Sequence, residues 1–230
     1  MTSASINWKG RIASAIMKHA LFKAFGTTLF IALFFSAYFY LLRNPSHEPI
    51  IMPVLWLDRA IGFSPWSLPV YVSLWIYVSL PPALFETRRE LYFYGASIAA
   101  TCIFSLLIFY FWPTAVPPSH IDWSKYPDVD FLKNIDASGN ACPSLHVVTA
   151  VFSGIWLHRL LSRFGAPLWL TILNWAWCIA IIYSTLATRQ HVAVDVMAGL
   201  ALGILSARLS FKGLPEKWWH RPFENIMSPD

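Results

Sequence analysis

Two short polar stretches contain the residues of this chain that are best suited to chemistry. The first is Pro143-Ser144-Leu145-His146, and the second runs from Ser184 through His191 to Asp195. Each stretch places a histidine at the start of a long apolar segment. Each also surrounds that histidine with polar groups that a helix in lipid normally avoids, which makes both stretches candidate functional sites.

In the second stretch, His191 and Asp195 are four residues apart and are therefore predicted to share one face of a helix. A carboxylate placed there accepts a hydrogen bond from one imidazole nitrogen and leaves the other as an oriented nucleophile or base. A structural polar pair is the alternative. An aspartate in an apolar helix costs about 2.5 to 3.5 kcal/mol on insertion scales, which a partner would offset. Gly199 and Gly203 follow at four-residue spacing and predict a seam of close helix contact.

The first stretch has the composition of a helix start. Pro143 suits an early helical position, and Ser144 suits the cap. The amino end of a helix offers unpaired N–H groups and a positive dipole, which together attract anions. His146 would lie in the first turn as an acid or a phosphate contact. The alternative is a capping serine beside an incidental interfacial histidine.

Arg189 and Ser184 are further candidates near the second histidine. Arg189 precedes His191 by two residues, and a guanidinium grips phosphate oxygens through paired hydrogen bonds. It could equally bind lipid head groups at the membrane surface. Ser184 precedes His191 by seven residues and would share its face only if one helix ran through both, which the turn between the spans argues against.

Composition places these stretches in an integral membrane protein. The 230 residues are 57% hydrophobic and 13% charged, against about 25% charged residues in soluble domains. In such a chain a net charge of +5 reflects the basic residues that set the orientation in the membrane, and it does not indicate a nucleic-acid partner. Three cysteines without a C-x-x-C pair argue against a disulfide framework or zinc site. No signal-peptide cleavage pattern follows the first apolar run.

A helix needs about 20 apolar residues to cross a bilayer. The sequence predicts six spans, and hence an all-α six-helix transmembrane bundle over residues 25–212. It would be preceded by a basic amphipathic segment, 1–24, on the cytoplasmic membrane surface and followed by a cytoplasmic tail, 213–230. The predicted spans are Gly26–Leu42, Leu68–Phe85, Leu91–Trp112, Ser144–Leu161, Pro167–Leu186 and His191–Phe211.

The distribution of basic residues predicts the orientation of these spans. With the amino terminus inside, twelve lysines and arginines fall in cytoplasmic segments and five fall outside. Both termini are therefore predicted to be cytoplasmic, in a plasma (inner) membrane. The loop from Pro113 to Pro143 is then outside, and both histidines lie at the extracytoplasmic face.

The paired motifs resemble those of the type-2 phosphatidic acid phosphatase superfamily. That family has P-S-x-H at one helix start and later a serine, a histidine seven residues on and an aspartate four beyond. The matching residues are Pro143, Ser144, His146, Ser184, His191 and Asp195, followed by Val196 and Gly199. The resemblance covers roughly Leu91 to Leu205. Leu145, where many members have glycine, is similar to the branch that includes inositolphosphotransferase-like enzymes.

The resemblance implies a role for each matched residue. His191 would attack phosphorus and form a phosphohistidine, with Asp195 orienting it. His146 would protonate the leaving group and later activate water. Ser144, the backbone amides beside it at Leu145, and Arg189 would hold the phosphate oxygens. No metal or other cofactor would be needed.

Two features depart from the family pattern. The family's first motif, a lysine followed by Arg-Pro after the third span, is absent from Trp112–Ser119, which has no basic residue. Thr185 stands where the later motif has arginine after its serine. Arg189 is predicted to take over part of the phosphate binding, with Lys125 or Lys133 from the outer loop as further candidates.

Three functions follow from this interpretation. The leading one is a metal-independent phosphatase that hydrolyses a membrane lipid phosphate or diphosphate, such as a polyprenyl diphosphate or phosphatidate. The second is a phosphotransferase that passes the phosphoryl or head group to a hydroxyl acceptor. The third is a binder of lipid phosphate without turnover. The lipid phosphate and the bilayer are the predicted partners, and the oligomeric state stays open.

Overall fold

Six helices long and apolar enough to cross a membrane make up most of this chain, which is a multi-pass membrane protein. The computed structural model describes residues 8–119, 121–130 and 139–213. The prediction of an all-α six-span bundle is confirmed. The spans are Ala20–Arg43, Pro65–Leu84, Arg88–Phe111, Leu145–Phe164, Leu168–Ala187 and Ala193–Lys212.

The helices are numbered here in chain order. Their bounds are α1 Trp8–Met17, α2 Ala20–Arg43, α3 Trp56–Ala60, α4 Leu68–Val72, α5 Leu74–Leu84, α6 Arg88–Phe111, α7 Leu145–Phe164, α8 Leu168–Ala187 and α9 Ala193–Lys212. The second span joins the 3-10 turn Pro65–Ser67 to α4 and α5. Its proline pair, Pro81 and Pro82, lies in the last turns of α5, which ends two residues later. The other 3-10 turn described is Trp123–Lys125.

Helix α7 is the central helix and packs against α5, α6, α8 and α9. It begins at Leu145, with Ser144 as the predicted cap: the Ser144 hydroxyl accepts a hydrogen bond from the Val147 amide at 3.4 Å. Pro143 precedes the cap, so its expected place inside the helix is wrong. Two histidines mark this end of the bundle, where α7 and α9 begin, and it is called the histidine end below.

The glycine seam predicted on α9 is confirmed and lies against α7. A Cβ atom at Gly199 would fall 2.8 Å from the Ser144 carbonyl oxygen and 2.9 Å from the Val147 Cβ. One turn further on, a Cβ at Gly203 would fall 2.9 Å from the Val148 carbonyl oxygen. Only glycine permits this approach, which brings the starts of the two helices side by side.

Replacing Gly199 by alanine is expected to destabilise the protein by about 1–3 kcal/mol, because the new methyl group meets backbone that cannot rotate away. Thermal unfolding in detergent measures the effect. Gly26→Ala is the matched control, since a Cβ there meets nothing within 4 Å. Equal unfolding temperatures for Gly199→Ala and Gly26→Ala would contradict the close contact between α7 and α9.

A network of ion pairs joins the helices at the opposite end of the bundle. The Arg163 guanidinium contacts the carboxylates of Glu86, at 3.1 Å, and Glu90, and Lys18 pairs with Glu86 at 3.3 Å. Arg11 on α1 donates to the Arg163 carbonyl oxygen at 2.8 Å. These contacts dock the basic amino-terminal helix α1 against the spans.

A small sheet supports the chain at the histidine end. Strands β1, Ile50–Ile51, and β2, Thr114–Ala115, pair in parallel, and Ala115 forms an antiparallel bridge with Gly139. Thr114 also accepts hydrogen bonds from the amides of Ala141 and Cys142, at 3.2 and 2.8 Å. The segment that lacks the basic motif therefore supports the loop that leads into His146.

Candidate active site

The two motif histidines meet at the histidine end of the bundle. His146 is the second residue of α7, and His191 lies in the turn before α9. Their ring centroids are 5.9 Å apart, and both rings line one cavity of about 360 Å³. A phosphoryl group in this cavity would have an imidazole on either side.

The expectation that His191 and Asp195 share a helix face is wrong, although the two side chains are close. Helix α9 begins only at Ala193, because the Asp195 carboxylate accepts a hydrogen bond from the Val192 amide at 3.0 Å and caps the helix there. His191 is held in the preceding turn, where the Thr185 carbonyl accepts from the amides of Gln190 and His191 at 3.1 Å each.

The His191 Nδ1 atom lies 3.6 Å from Asp195 Oδ2, with both side chains buried. That separation exceeds the normal hydrogen-bond length of about 2.7–3.2 Å. Within the described residues, His191 Nδ1 and Asp195 Oδ1 have no hydrogen-bond partner. Leaving buried polar atoms unpaired costs about 1–3 kcal/mol each. A small movement of the His191 ring that brings Nδ1 within hydrogen-bond distance of the Asp195 carboxylate is therefore favourable. The other nitrogen, Nε2, is then the one left for a substrate.

His146 is held by aromatic neighbours from the second span. Tyr71 stacks on its ring with centroids 4.3 Å apart, and the Tyr71 hydroxyl lies 3.3 Å from His146 Nδ1. Trp75 meets the ring edge-on at 5.8 Å. These contacts fix the imidazole plane, and the one from Tyr71 is to Nδ1 and not to Nε2.

The walls of the cavity are largely aromatic and come from α2, the second span and α7. Its lining residues are Phe34, Phe35, Tyr38, Phe39, Tyr71, Leu74, Trp75, Asn140, Leu145, His146, Thr149 and His191. A second cavity of about 440 Å³ shares Phe34, Trp75 and Thr149 with it and extends along α2 to Phe22 and Lys23. The two cavities adjoin, so the histidine pair opens onto a long apolar groove between the spans.

Ser144 and Leu145 lie where α7 begins, directly before His146. Leu145 lines the cavity, and the buried Ser144 amide donates to the Asp195 carbonyl oxygen at 3.0 Å. This bond ties the start of α7 directly to the start of α9. Cys142 lies nearby, where burial and the Asp195 carboxylate raise the pKa of its thiol to about 11, which keeps the thiol protonated at neutral pH.

Two other candidates, Ser184 and Lys125, do not line the cavity that the histidines share. The Ser184 hydroxyl is fully buried and donates to the Ile181 carbonyl oxygen at 2.6 Å inside α8. Lys125 is exposed and pairs with Asp122 at 3.4 Å. Lys133 lies outside the described residues. Among the described residues, the cavity has no lysine or arginine in its lining.

Arg189 is close to the site but is engaged elsewhere. Its Nη1 donates to the Asp58 carbonyl oxygen at 2.7 Å, and its Nη2 donates to the Ile61 carbonyl oxygen at 2.9 Å. Its φ of 59° places it in the left-handed region that non-glycine residues rarely adopt. The guanidinium therefore connects the turn before His191 to helix α3.

Sequence reasoning missed Tyr71, Asn140 and Asp58. Tyr71 contacts His146, and Asn140 is the buried amide in the cavity wall. The Asp58 carboxylate accepts from the Ala193 amide at 2.7 Å. Asp58 alone had a signal, as an acidic residue in an apolar stretch. Nothing in the local pattern connects the other two to the histidines.

The described residues contain no candidate metal centre. No group of three or more histidine, cysteine, aspartate or glutamate side chains that could hold a metal ion occurs in the described ranges. The donors at the site itself are two imidazoles and one carboxylate. The prediction of metal-independent chemistry stays untested and is addressed by the experiment below.

Taken together, the fold and the site define a multi-pass membrane protein with a paired-histidine cavity at one end of its bundle. The chain matches the model of the PAP2 superfamily over residues 90–219, and it belongs to that superfamily. No curated protein and no solved structure matches it. Membership indicates phosphatase or phosphotransferase activity on phosphate esters. The broad class it supports is that of the phosphoric ester hydrolases.

Proposed function

We propose that this protein is a lipid phosphatase that hydrolyses a membrane lipid phosphate or diphosphate through a phosphohistidine on His191. One observation carries the proposal. His146 and His191 line the same cavity, and that cavity adjoins a groove between membrane-spanning helices. A head group would lie between the imidazoles while its hydrocarbon chain stays in the groove.

The proposed reaction has two steps. His191 Nε2 attacks phosphorus and the bond to the leaving-group oxygen breaks, while His146 Nε2 gives that oxygen a proton. In the second step His146 takes a proton from water, which attacks the phosphohistidine. The bond between phosphorus and Nε2 breaks, and phosphate leaves. Asp195 stabilises the positive charge that His191 acquires, and Tyr71 holds His146 in the orientation required for both transfers.

The amino end of α7 is the proposed phosphate contact. The first amides of a helix have no partners within that helix and carry its positive dipole end. The amides of Ser144 and Val147 are already bonded, to the Asp195 carbonyl oxygen and the Ser144 hydroxyl. Leu145 and His146, the first two residues of α7, line the cavity and are the ones whose amides would meet the phosphate. Such a contact would take over part of the work of the absent basic motif.

The groove supports a lipid as the substrate. The residues of α2 that line the two cavities run from Phe22 to Phe39, which at 1.5 Å per residue is about 25 Å. The hydrocarbon core of a bilayer is about 30 Å thick. Most of the side chains along this length are aromatic or aliphatic, as a hydrocarbon chain requires, and Lys23 and Thr27 lie towards the end away from the histidines.

We also propose that the histidine end faces away from the cytoplasm. The argument is the excess of lysine and arginine in the segments at the opposite end. Arg11, Lys18 and Arg163 lie together there. Both termini would then be cytoplasmic.

Phosphate release by purified protein in detergent tests the function. The panel contains lipid monophosphates and diphosphates, with chelator present throughout to remove metal-dependent contaminants. Release by the wild type that is absent from His191→Ala establishes the hydrolase. Head-group transfer that occurs only with a hydroxyl acceptor establishes the phosphotransferase instead. Binding of lipid phosphate without either reaction would overturn the enzyme.

Gly95 on α6 gives a test of the groove. It lines the second cavity, and a Cβ there meets nothing within 4 Å. Gly95→Phe is expected to fill the groove and lower kcat/KM for long-chain substrates. Each CH₂ group it displaces from the groove removes about 0.8 kcal/mol of burial, so three of them give a loss of roughly 50-fold. Substrates with short chains should react at the wild-type rate.

The matched control is Ala176→Phe, which adds the same ring to an exposed position on α8. Both variants are assayed in mixed micelles at fixed surface concentration of substrate. Equal losses for long and short chains, or no loss at all, would show that the chain does not occupy the groove.

A further inference from the structure

Helix α3, in the connection between the first and second spans, carries a buried carboxylate that contacts the chain beside His191. Asp58 is 3% exposed. Its Oδ1 accepts a hydrogen bond from the Ala193 amide at 2.7 Å, and its Oδ2 accepts one from the Leu55 amide at 2.8 Å. Hydrogen bonds to an ionised acceptor at these lengths are among the stronger ones in proteins.

The amide that donates to Asp58 Oδ1 belongs to Ala193, the first residue of α9. The first amides of a helix lack partners within it, and a negative charge near them is favourable. Asp195 accepts a hydrogen bond from the Val192 amide, and Asp58 accepts one from the next amide, that of Ala193. Two carboxylates from distant parts of the chain therefore hold two consecutive amides, directly after His191.

Three further hydrogen bonds join the same segments. Arg189 donates to the carbonyl oxygens of Asp58 and Ile61, and the Ser64 amide donates to the Ala187 carbonyl oxygen at 2.9 Å. The segment 58–64 thus contacts the chain on both sides of His191, at 187–189 before it and at 193 after it. The turn that carries the histidine is held at both ends.

We propose that Asp58 is a positioning residue for the nucleophile. It holds the backbone between His191 and Asp195, and so sets the distance and angle at which the imidazole meets both the carboxylate and the phosphorus atom. Arg189 serves the same contact from the other side of the turn. This role rests on the proposed function, in which His191 Nε2 attacks the substrate.

The kinetic test compares Asp58→Ala and Asp58→Asn with the wild type, using detergent-purified, monodisperse protein. Asp58→Ala is expected to lower kcat about 10- to 100-fold and to change KM less than twofold, equally for good and poor leaving groups. Asp58→Asn should recover part of kcat, because its amide oxygen still accepts from Ala193. Asp128→Ala, at an exposed carboxylate that does not line the cavity, should match the wild type.

A purely structural role predicts a different result. If the variants unfold at lower temperature but the folded protein keeps the wild-type kcat, the proposal is wrong. If Asp58→Ala does not fold, Asp58→Asn decides: wild-type kcat overturns the positioning role, and a lower kcat with unchanged KM supports it.

A second readout separates this inference from the proposed function. Nitrogen resonances of labelled histidines report ring geometry without turnover, and His191→Ala identifies the His191 signals. Asp58→Asn is expected to shift the His191 signals and to leave those of His47 and His158 in place. Unshifted His191 signals overturn the role of Asp58. If the wild type releases no phosphate but these signals shift, the proposed function fails while the positioning contact stands.

Discussion

His191→Ala is expected to lower phosphate release by at least about 1,000-fold, because the variant has no nitrogen with which to form the phosphoenzyme. His191 lines the cavity, its Nδ1 lies 3.6 Å from the Asp195 carboxylate, and its ring centroid lies 5.9 Å from that of His146. KM should change little, since in the proposed binding mode the amino end of α7 holds the head group and the groove holds the chain. Rapid quenching with radiolabelled substrate should trap label on the wild type and none on the variant.

His47→Ala is the matched control for this loss. His47 is exposed and bonds to Ser46 at the same end of the protein. It should keep both the rate and the trapped label. Wild-type rates in His191→Ala would place the nucleophile elsewhere, and label trapped on that variant would exclude His191 as its acceptor.

The second large effect is expected for His146→Ala and depends on the leaving group. Loss of a general acid costs about 100- to 10,000-fold when the leaving oxygen needs a proton. A lipid alkoxide needs one, whereas the phosphate-bearing leaving group of a diphosphate is far less basic. The monophosphate of a lipid should therefore lose much more rate than the diphosphate of the same lipid. Parallel assays of the two substrates give the ratio directly.

His158→Ala is the comparison for that variant, as it removes the other histidine of α7. His158 accepts a hydrogen bond from the Trp175 indole at 3.3 Å, three turns away from the site. It should leave both substrates unaffected. An equal loss on monophosphate and diphosphate in His146→Ala would indicate that this histidine binds the phosphate and does not transfer the proton.

The six spans, the start of α7 and the glycine seam could be predicted from the sequence. All six were predicted, with every boundary within six residues of the observed one, because length and hydropathy alone decide whether a helix can cross a bilayer. The start of α7 followed from Ser144, whose hydroxyl caps the helix as a local interaction. The seam at Gly199 and Gly203 could also be predicted, since small residues at four-residue spacing permit close contact wherever a partner helix lies.

The start of α9 shows where local patterns failed. Spacing alone placed His191 and Asp195 on one helical face, but a carboxylate at that position also caps the backbone at Val192, so the helix begins only at Ala193, after His191. Arg189 was predicted from its charge to bind phosphate. Two of its N–H groups donate to carbonyl oxygens more than 120 residues away in the chain, contacts that its charge did not predict.

The sequence by itself determined the class of the protein, its six spans and the identity of the paired histidine motifs, because these depend on composition and on spacing within single segments. Only the tertiary structure decided what surrounds the histidines. Tyr71 reaches His146 across 75 residues, and Asp58 reaches Ala193 across 135. Contacts at such separations arise from the packing of α4, α7 and α9 and of the short helix α3, and no periodicity within one segment encodes that packing.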